Sequence, residues 1–201
     1  MTYRTYITNA NIIYSVLILL FCSIQSSFSQ ITLNNPSFED TPSDATTPMG
    51  WLECAEFTTP DILPGYWGVY NEPSEGETFV GMITRENGTY ESIGQRLSDT
   101  VKKDQCYSFS IDLANSSGYT GYGNPIKLRI WIGREKCETL QLIFESPLID
   151  DLDWKTFDVE FRPETDSKYI LLEAFHKEGF YRYKANILID NMSSIESCNR
   201  A

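Results

Sequence analysis

The sequence predicts an all-β protein, a jelly-roll β-sandwich, and three observations carry that prediction. Apolar residues recur with period two over many short segments, as on strands with one buried face. Clusters of Gly, Pro, Asn and Asp separate those segments, as in NSSGYTGYGNP and RPETDS, and such clusters mark turns. No segment beyond residue 30 carries a long helical period. Eight or nine short strands joined by turns bury one face each by packing as a sandwich.

The first element does not belong to that fold. Arg4 is the sole charge ahead of an apolar stretch from Ile12 to Phe21, which is too short to span a bilayer. Ser26, Ser27 and Ser29 follow, so residues 1–30 read as a signal peptide cleaved near Ser29 or Gln30. Residues 31–201 then form a single domain. Bulky Phe21 before Cys22 argues against lipidation, which wants a small residue there. The mature chain is expected to be secreted or on the cell surface, with no membrane insertion.

The mature chain opens with Ile31-Thr32-Leu33, then NPSFED breaks the strand at Pro36 and sets Phe38 beside Glu39 and Asp40. A core-anchored Phe38 would hold Glu39 in one place. Further along, CYSFSIDLA turns Tyr107, Phe109, Ile111 and Leu113 one way and Ser108, Ser110 and Asp112 the other. IKLRIWIG alternates Ile126, Leu128, Ile130 and Ile132 against Lys127, Arg129 and Trp131. Similar runs cover Thr78–Thr84, Thr89–Leu97, Glu138–Glu145, Trp154–Phe161, Tyr169–Phe175 and Ala185–Met192. Trp51 and Trp154 are expected to cap the core, since large aromatics are mostly buried.

Four cysteines remain after cleavage, Cys54, Cys106, Cys137 and Cys198. In an exported chain they read as two disulfides with three connectivities, and no Cys-x-x-Cys spacing offers zinc a site. Pairing the two best strands as a hairpin sets Leu113 opposite Ile130 and Ile111 opposite Ile132. The same register brings Cys106 opposite Cys137, close enough for a bridge at a non-hydrogen-bonded pair. Cys106–Cys137 is therefore expected, leaving Cys54–Cys198.

The chain carries 16 basic and 28 acidic residues, a net charge of −12, and losing Arg4 takes it to −13. That balance argues against nucleic acid and anionic membranes as partners. It suits neutral glycans and divalent cations, and equally a plain solvated surface.

Catalytic patterns are missing. His176 is the sole histidine, and there is no G-x-S-x-G, no H-E-x-x-H and no E-x-D-x-x-E. FHKEGFYRY, Phe175 to Tyr183, is similar to the lysine-glycine-tyrosine strand of jelly-roll alginate lyases, with Tyr181 as acid/base. The partner histidine motif of such a polysaccharide lyase is absent, so a non-catalytic protein is expected.

Six phrases in order carry a resemblance: NPSFED, Gly50-Trp51, EGETFVGM, ESIGQRL, QCYSFSIDLA and NILIDNMSSI. Together, from about Ile31 to Cys198, they resemble the galactose-binding-like β-sandwich. In particular they resemble calcium-carrying carbohydrate-binding modules and single sandwich modules of exported Bacteroidetes surface proteins. The resemblance implies a structural calcium (Ca2+) between the first and last strands. Its ligands would be Glu39, Asp190 and backbone carbonyls including Asn34, and calcium accepts roughly six to eight oxygens in loose geometry.

The resemblance also implies a poly- or oligosaccharide partner, and a sugar site needs aromatic faces with a few fixed polar groups. On the non-core face of the expected hairpin stand Asp112, Arg129 and Trp131, and Trp67 in PGYWGVY joins them as a stacking ring. Tyr119, Tyr122 and Arg85 lie in further loops, and Glu173 ends a strand at a parity opposite to His176. Asp112 with Arg129 also suits an ordinary cross-strand ion pair. A structural or adhesive surface module with surface-protein partners is the alternative to a sugar binder, because fold does not fix function.

Overall fold

The computed structural model describes residues 30–176 and 182–198. The expected signal peptide lies outside them, as does Tyr181 of the lyase-like pattern. Among the described residues no helix is long and apolar enough to cross a membrane. Among the described residues twelve strands are present in chain order: β1 (Leu52–Glu53), β2 (Asp61–Leu63), β3 (Phe79–Thr84), β4 (Ser92–Val101), β5 (Tyr107–Ala114) and β6 (Asn124–Pro125). Then follow β7 (Lys127–Gly133), β8 (Gln141–Glu145), β9 (Lys155–Phe161), β10 (Ser167–Phe175), β11 (Ala185–Asp190) and β12 (Glu196–Ser197). All eight patterned runs became strands. The four strands the pattern did not reveal, β1, β2, β6 and β12, have only two or three residues each, too few to show a period.

One sheet has the order β1-β4-β10-β7-β8. The other runs β12-β5-β11-β3-β2, with β9 also on β5 and β6 on β11. All pairings are antiparallel except that of β6 with β11. Between the sheets lies one apolar core fed by alternate residues: Ile111 and Leu113 of β5, Leu128, Ile130 and Ile132 of β7, Ile170 and Leu172 of β10, and Ile187 and Ile189 of β11. Burial of that size is the main favourable term in folding. Phe38 is fully buried in it and stacks on Trp51 with ring centroids 4.9 Å apart.

A second, smaller cluster covers the outside of the seven-stranded sheet. Leu63 at the end of β2 and Val69 and Tyr119 from loops close over Phe79, Ile83, Ala114 and Leu188. A Cβ on Gly81 would come within 2.7 Å of Leu63 Cδ1 and 3.0 Å of the Tyr119 ring, so glycine at this strand position lets the loops settle. Trp154 packs edge-on against Phe79 and donates its indole N–H to the Glu72 carbonyl at 2.8 Å.

The expected hairpin is corrected by the topology. β5 and β7 lie in different sheets: β5 pairs with β9, where Ile111 meets Phe157, while β7 pairs with β10, where Ile130 meets Leu172. Their apolar faces do meet, but across the core. The chain between them crosses the sandwich; Asn115 and Ser116 bond to Asn186, and Ile126 bridges to Ile149.

The disulfides change with it. They are Cys54–Cys137 and Cys106–Cys198, not the expected Cys106–Cys137 and Cys54–Cys198. β12 lies beside the start of β5, and Cys198 N–H donates to the Cys106 carbonyl at 3.0 Å. Cys137 belongs to the β7–β8 connection and reaches across to Cys54 beyond β1. The bridges close 83 and 92 residues, and loops of that size correspond to about 4.5 kcal/mol each in the chain-entropy account. Non-reducing peptide mapping is expected to recover these two pairs. Replacing both cysteines of one pair by alanine is expected to lower stability by about that amount. A Cys106–Cys137 peptide would overturn the topology.

Candidate functional site

Strand parity decides what the five-stranded sheet shows to solvent. With Leu128, Ile130, Ile132, Ile170, Leu172 and Ala174 in the core, Arg129, Trp131, Leu171 and Glu173 must point outward. The register aligns them in two rows. Ser92, Glu173, Arg129 and Glu145 are successive partners across β4, β10, β7 and β8; Gly94, Leu171, Trp131 and Leu142 form the row beside them. Phe175 and Lys127 extend the face at one end. At the other, a Cβ on Gly94 would come 3.2 Å from Cys54 Sγ, so the Cys54–Cys137 bridge rests on that glycine.

The charges on this face are fixed. Arg129 Nε donates to Glu145 Oε2 at 2.8 Å, and its guanidinium stands 3.2 Å from the centre of the Phe175 ring. Lys127 Nζ donates to Glu145 Oε1 at 2.7 Å. Hydrogen bonds from Lys127 and then Arg129 hold the Glu145 carboxyl below its usual range. Glu173 is buried, and burial raises its carboxyl although Arg129 pulls it down. The buried indole N–H of Trp131 turns toward Glu173 without reaching full hydrogen-bond geometry. Tyr90 stands close enough that burial and the Glu173 charge raise its hydroxyl. Planar donors, carboxylates and aromatic rings therefore share one partly exposed face. Arg129, Trp131 and Glu173 were legible from alternation; Glu145, Phe175 and Tyr90 joined through strand order.

The other expected ligand residues lie elsewhere. Asp112 is on β5, directly opposite Asp190 of β11 and on the outside of the seven-stranded sheet. It is buried beneath the 74–78 loop, accepting from Ser74 Oγ at 2.5 Å and Asn191 Nδ2 at 3.0 Å. Burial pushes its carboxyl up, but hydrogen bonds from Ser74, Thr156 and Asn191 outweigh that and hold it low. It cannot share a site with Arg129 and Trp131, because its strand belongs to the other sheet. Trp67 is at a loop tip on that second sheet, its indole N–H donating to Asp44 Oδ1 at 2.8 Å. His176 places Nε2 3.1 Å from the Tyr183 carbonyl.

Two of the three expected calcium ligands converge. Asp190 is fully buried, its Oδ2 accepting from Ser74 N (2.8 Å) and Glu75 N (3.0 Å). Glu39 accepts from Glu77 N at 3.1 Å and Thr78 N at 3.2 Å on the same loop. A Cβ on Gly76 would come within 2.1 Å of Glu39 Oε1, so the loop approaches by virtue of that glycine. Burial raises Asp190 to about 6, and the Glu39 charge adds to the rise. Neither carboxylate has an ion pair with Lys or Arg among the described residues. Two oxygen donors with unbalanced charge fit a hard cation such as calcium. Asn34 is engaged elsewhere, its carbonyl and N–H both bonded to the Gln95 amide. The close group Cys106, Glu160 and Cys198 is no metal cluster, because its sulfurs form a disulfide.

Neither a protein-family model nor a curated sequence relative matches the chain. Solved structures do. The xylan-binding domain CBM22-1 of Paenibacillus barcinonensis Xyn10C superposes with a TM-score of 0.55 at 17% identity, covering 87% of this chain and 97% of that one. The K3 cleaved adhesin domain of Lys-gingipain from Porphyromonas gingivalis gives 0.53 at 12%, over 83% and 98%. The fold is the galactose-binding-like β-sandwich. An arabinose-bound GH51 α-L-arabinofuranosidase matches at 0.58 and 12%, but the chain spans 27% of that protein's length.

This galactose-binding-like sandwich also buries a polar network that sequence reading missed. Glu91, fully buried just before β4, accepts from Arg85 Nη2 at 2.6 Å, Ile83 N at 3.0 Å and Thr59 Oγ1 at 3.1 Å. Asp61 on β2 accepts from Ala45 N at 2.8 Å and from the Tyr119 hydroxyl. Burial lifts Glu91 from 4.5 to about 7, more than Arg85 can pull it down. A carboxyl with a raised folded-state pKa binds its proton more tightly when folded, so it costs stability as pH climbs from the unfolded value to the folded one. Melting temperature is therefore expected to gain from this group as pH falls from about 7 to 4.5, and Glu91→Gln to lose that gain. Identical pH slopes in the two proteins would show that Glu91 titrates normally.

Proposed function

We propose that the protein is a non-catalytic glycan-binding module that holds a poly- or oligosaccharide on the outer face of its five-stranded sheet. It acts outside the cytoplasm, in secreted form or at the cell surface. The observation that carries this reading is the row Glu173, Arg129 and Glu145 beside Trp131 and Phe175. Arg129 and the partly exposed Glu145 offer directed donors and acceptors to hydroxyls, while the rings offer apolar faces to a sugar. A neighbour of the same fold described as xylan-binding, matched over nearly its whole length, supports the substrate class.

Binding of soluble xylan, β-glucan, arabinan and mannan, followed by affinity electrophoresis or calorimetry, tests it. At least one is expected to bind, and Arg129→Ala and Trp131→Ala to weaken it about tenfold or more, as central Arg and Trp contacts commonly do. A melting curve on each variant separates lost contact from lost fold. If no polysaccharide binds the folded protein, the structural or adhesive reading takes over, which the likeness to a gingipain adhesin domain favours.

Calcium belongs to the same proposal. Glu39 and Asp190 would hold it, and its charge would offset two carboxylates that no basic side chain neutralises among the described residues. A ligand bound by the native state alone adds about 2.7 kcal/mol at a hundredfold excess over its dissociation constant. Chelator is expected to lower the melting temperature of the wild type and leave Glu39→Ala nearly unmoved; an unchanged wild type would falsify the site.

A further inference from the structure

The second sheet carries a cavity that the sheet-face site does not use. It encloses about 210 Å³ and is lined by Asp44, Asp61, Trp67, Arg85, Tyr119 and Tyr122. That is smaller than the roughly 300–1,000 Å³ of pockets for drug-sized ligands, so it suits a single small ring. β2 supplies Asp61, the end of β3 leads into Arg85, and three loops bring the remaining walls.

The exposed wall is rigid. Trp67 is 44% exposed, yet it is pinned on both sides. Its indole N–H donates to Asp44, and its carbonyl accepts from Thr120 N at 2.8 Å and Thr120 Oγ1 at 2.7 Å. Its backbone sits at φ 53°, and a Cβ on the following Gly68 would come 2.8 Å from the Gly118 carbonyl. A large ring held still at the surface is a stacking platform without the ordering cost a loose side chain would add on binding.

The polar walls narrow the ligand class. Arg85 spends Nη2 on Glu91 and Thr59, while its Nη1 is buried with no hydrogen-bond partner. The Arg85 side chain remains 21% exposed on the cavity wall, so it presents positive charge and planar N–H groups there. Asp61 already accepts from Ala45 N and the Tyr119 hydroxyl, and Asp44 Oδ1 from the Trp67 indole, so the two carboxylates chiefly bring negative charge to the wall. An ammonium ligand would answer the carboxylates but leave Arg85 unmet and be repelled by it. A carboxylate or phosphate would answer Arg85 but face Asp44 and Asp61, with the one arginine already paired to Glu91. A ring bearing neutral hydroxyls both donates and accepts, and its C–H face suits Trp67.

We propose that this cavity is a second glycan site that takes one neutral sugar ring, such as the end of a chain. The proposal shares the carbohydrate class of the reading above but none of its residues, so the two fail separately. The test uses the mature chain with both disulfides intact. Glucose, galactose, mannose, xylose and arabinose are titrated, with glucuronate, galacturonate and choline as charged counterparts. Binding is read from the Trp67 indole N–H resonance and by calorimetry. At least one neutral sugar is expected to shift that resonance saturably and more tightly than either uronate or choline. Trp67→Ala is expected to lower its affinity about tenfold or more by calorimetry, with polysaccharide binding at the sheet face unchanged. Arg129→Ala is expected to do the reverse. Arg85→Lys, which keeps charge and the indole reporter but loses the planar fork, is expected to weaken the sugar as well. No shift with any neutral sugar would overturn the proposal, as would equal or tighter binding of a charged probe, or unchanged affinity in Trp67→Ala.

Discussion

The structure depends on one constraint: both sheets bury a face in a shared apolar core, and alternation along each strand commits the opposite face at the same time. Once Ile130 and Ile132 of β7 and Ile170 and Leu172 of β10 are inside, Arg129, Trp131 and Glu173 have no choice but to be outside. A shift of one residue in any of these strands would bury the charges and expose the apolar set. The candidate site is thus the other side of the folding code, held as firmly as the core itself.

The two outer faces meet different fates, and loops account for it. Over the seven-stranded sheet the loops carry Val69 and Tyr119, which with Leu63 of β2 supply enough apolar surface to add a second cluster. Beneath the 74–78 loop the same face takes Asp112 and Asp190, neighbours across the β5–β11 pair that accept from loop amides and hydroxyls, while Asp112 Oδ1 stays buried without a hydrogen-bond partner. The outer face of the five-stranded sheet is covered in part, with Ser92, Leu171 and Glu173 buried and Arg129, Trp131 and Glu145 partly exposed. Its outer face is spanned at one end by the Cys54–Cys137 bridge and otherwise keeps charged and aromatic side chains in register. This asymmetry leaves polar and aromatic side chains in register on one face and makes the other a floor for loops.

Chain ends are closed by cooperation of weak and covalent elements. Ile31 pairs with Ile195, Met192 N–H donates to the Pro36 carbonyl, and Cys198 is tied to Cys106. Phe38 holds the opening turn by its buried ring, at a φ of 55° that a bulky residue adopts only under constraint. Asn35 supplies that constraint by accepting from Glu39 N and donating to the Glu39 and Met49 carbonyls. Glu39 is therefore positioned by its neighbours before any ligand is considered.

What could be read from residue order was local and periodic. The eight patterned strands, the outward parity of Arg129, Trp131 and Glu173, and the anchoring of Phe38 follow from short-range alternation and side-chain size, which act on each segment alone. Partner choice did not follow. Ile111 and Leu113 are as well buried facing Ile130 and Ile132 across a core as beside them in a hairpin, so apolar matching could not assign β5 and β7 to a sheet. The disulfide pairs and the separation of Asp112 from Arg129 both hung on that assignment. Tertiary structure settled it, because sheet order is decided by which arrangement satisfies the whole set of backbone hydrogen bonds and loop crossings at once. Glu91 and Asp61 escaped notice for a related reason: an acidic residue in a sequence reads as exposed until the fold brings Arg85, Thr59 and Tyr119 around it.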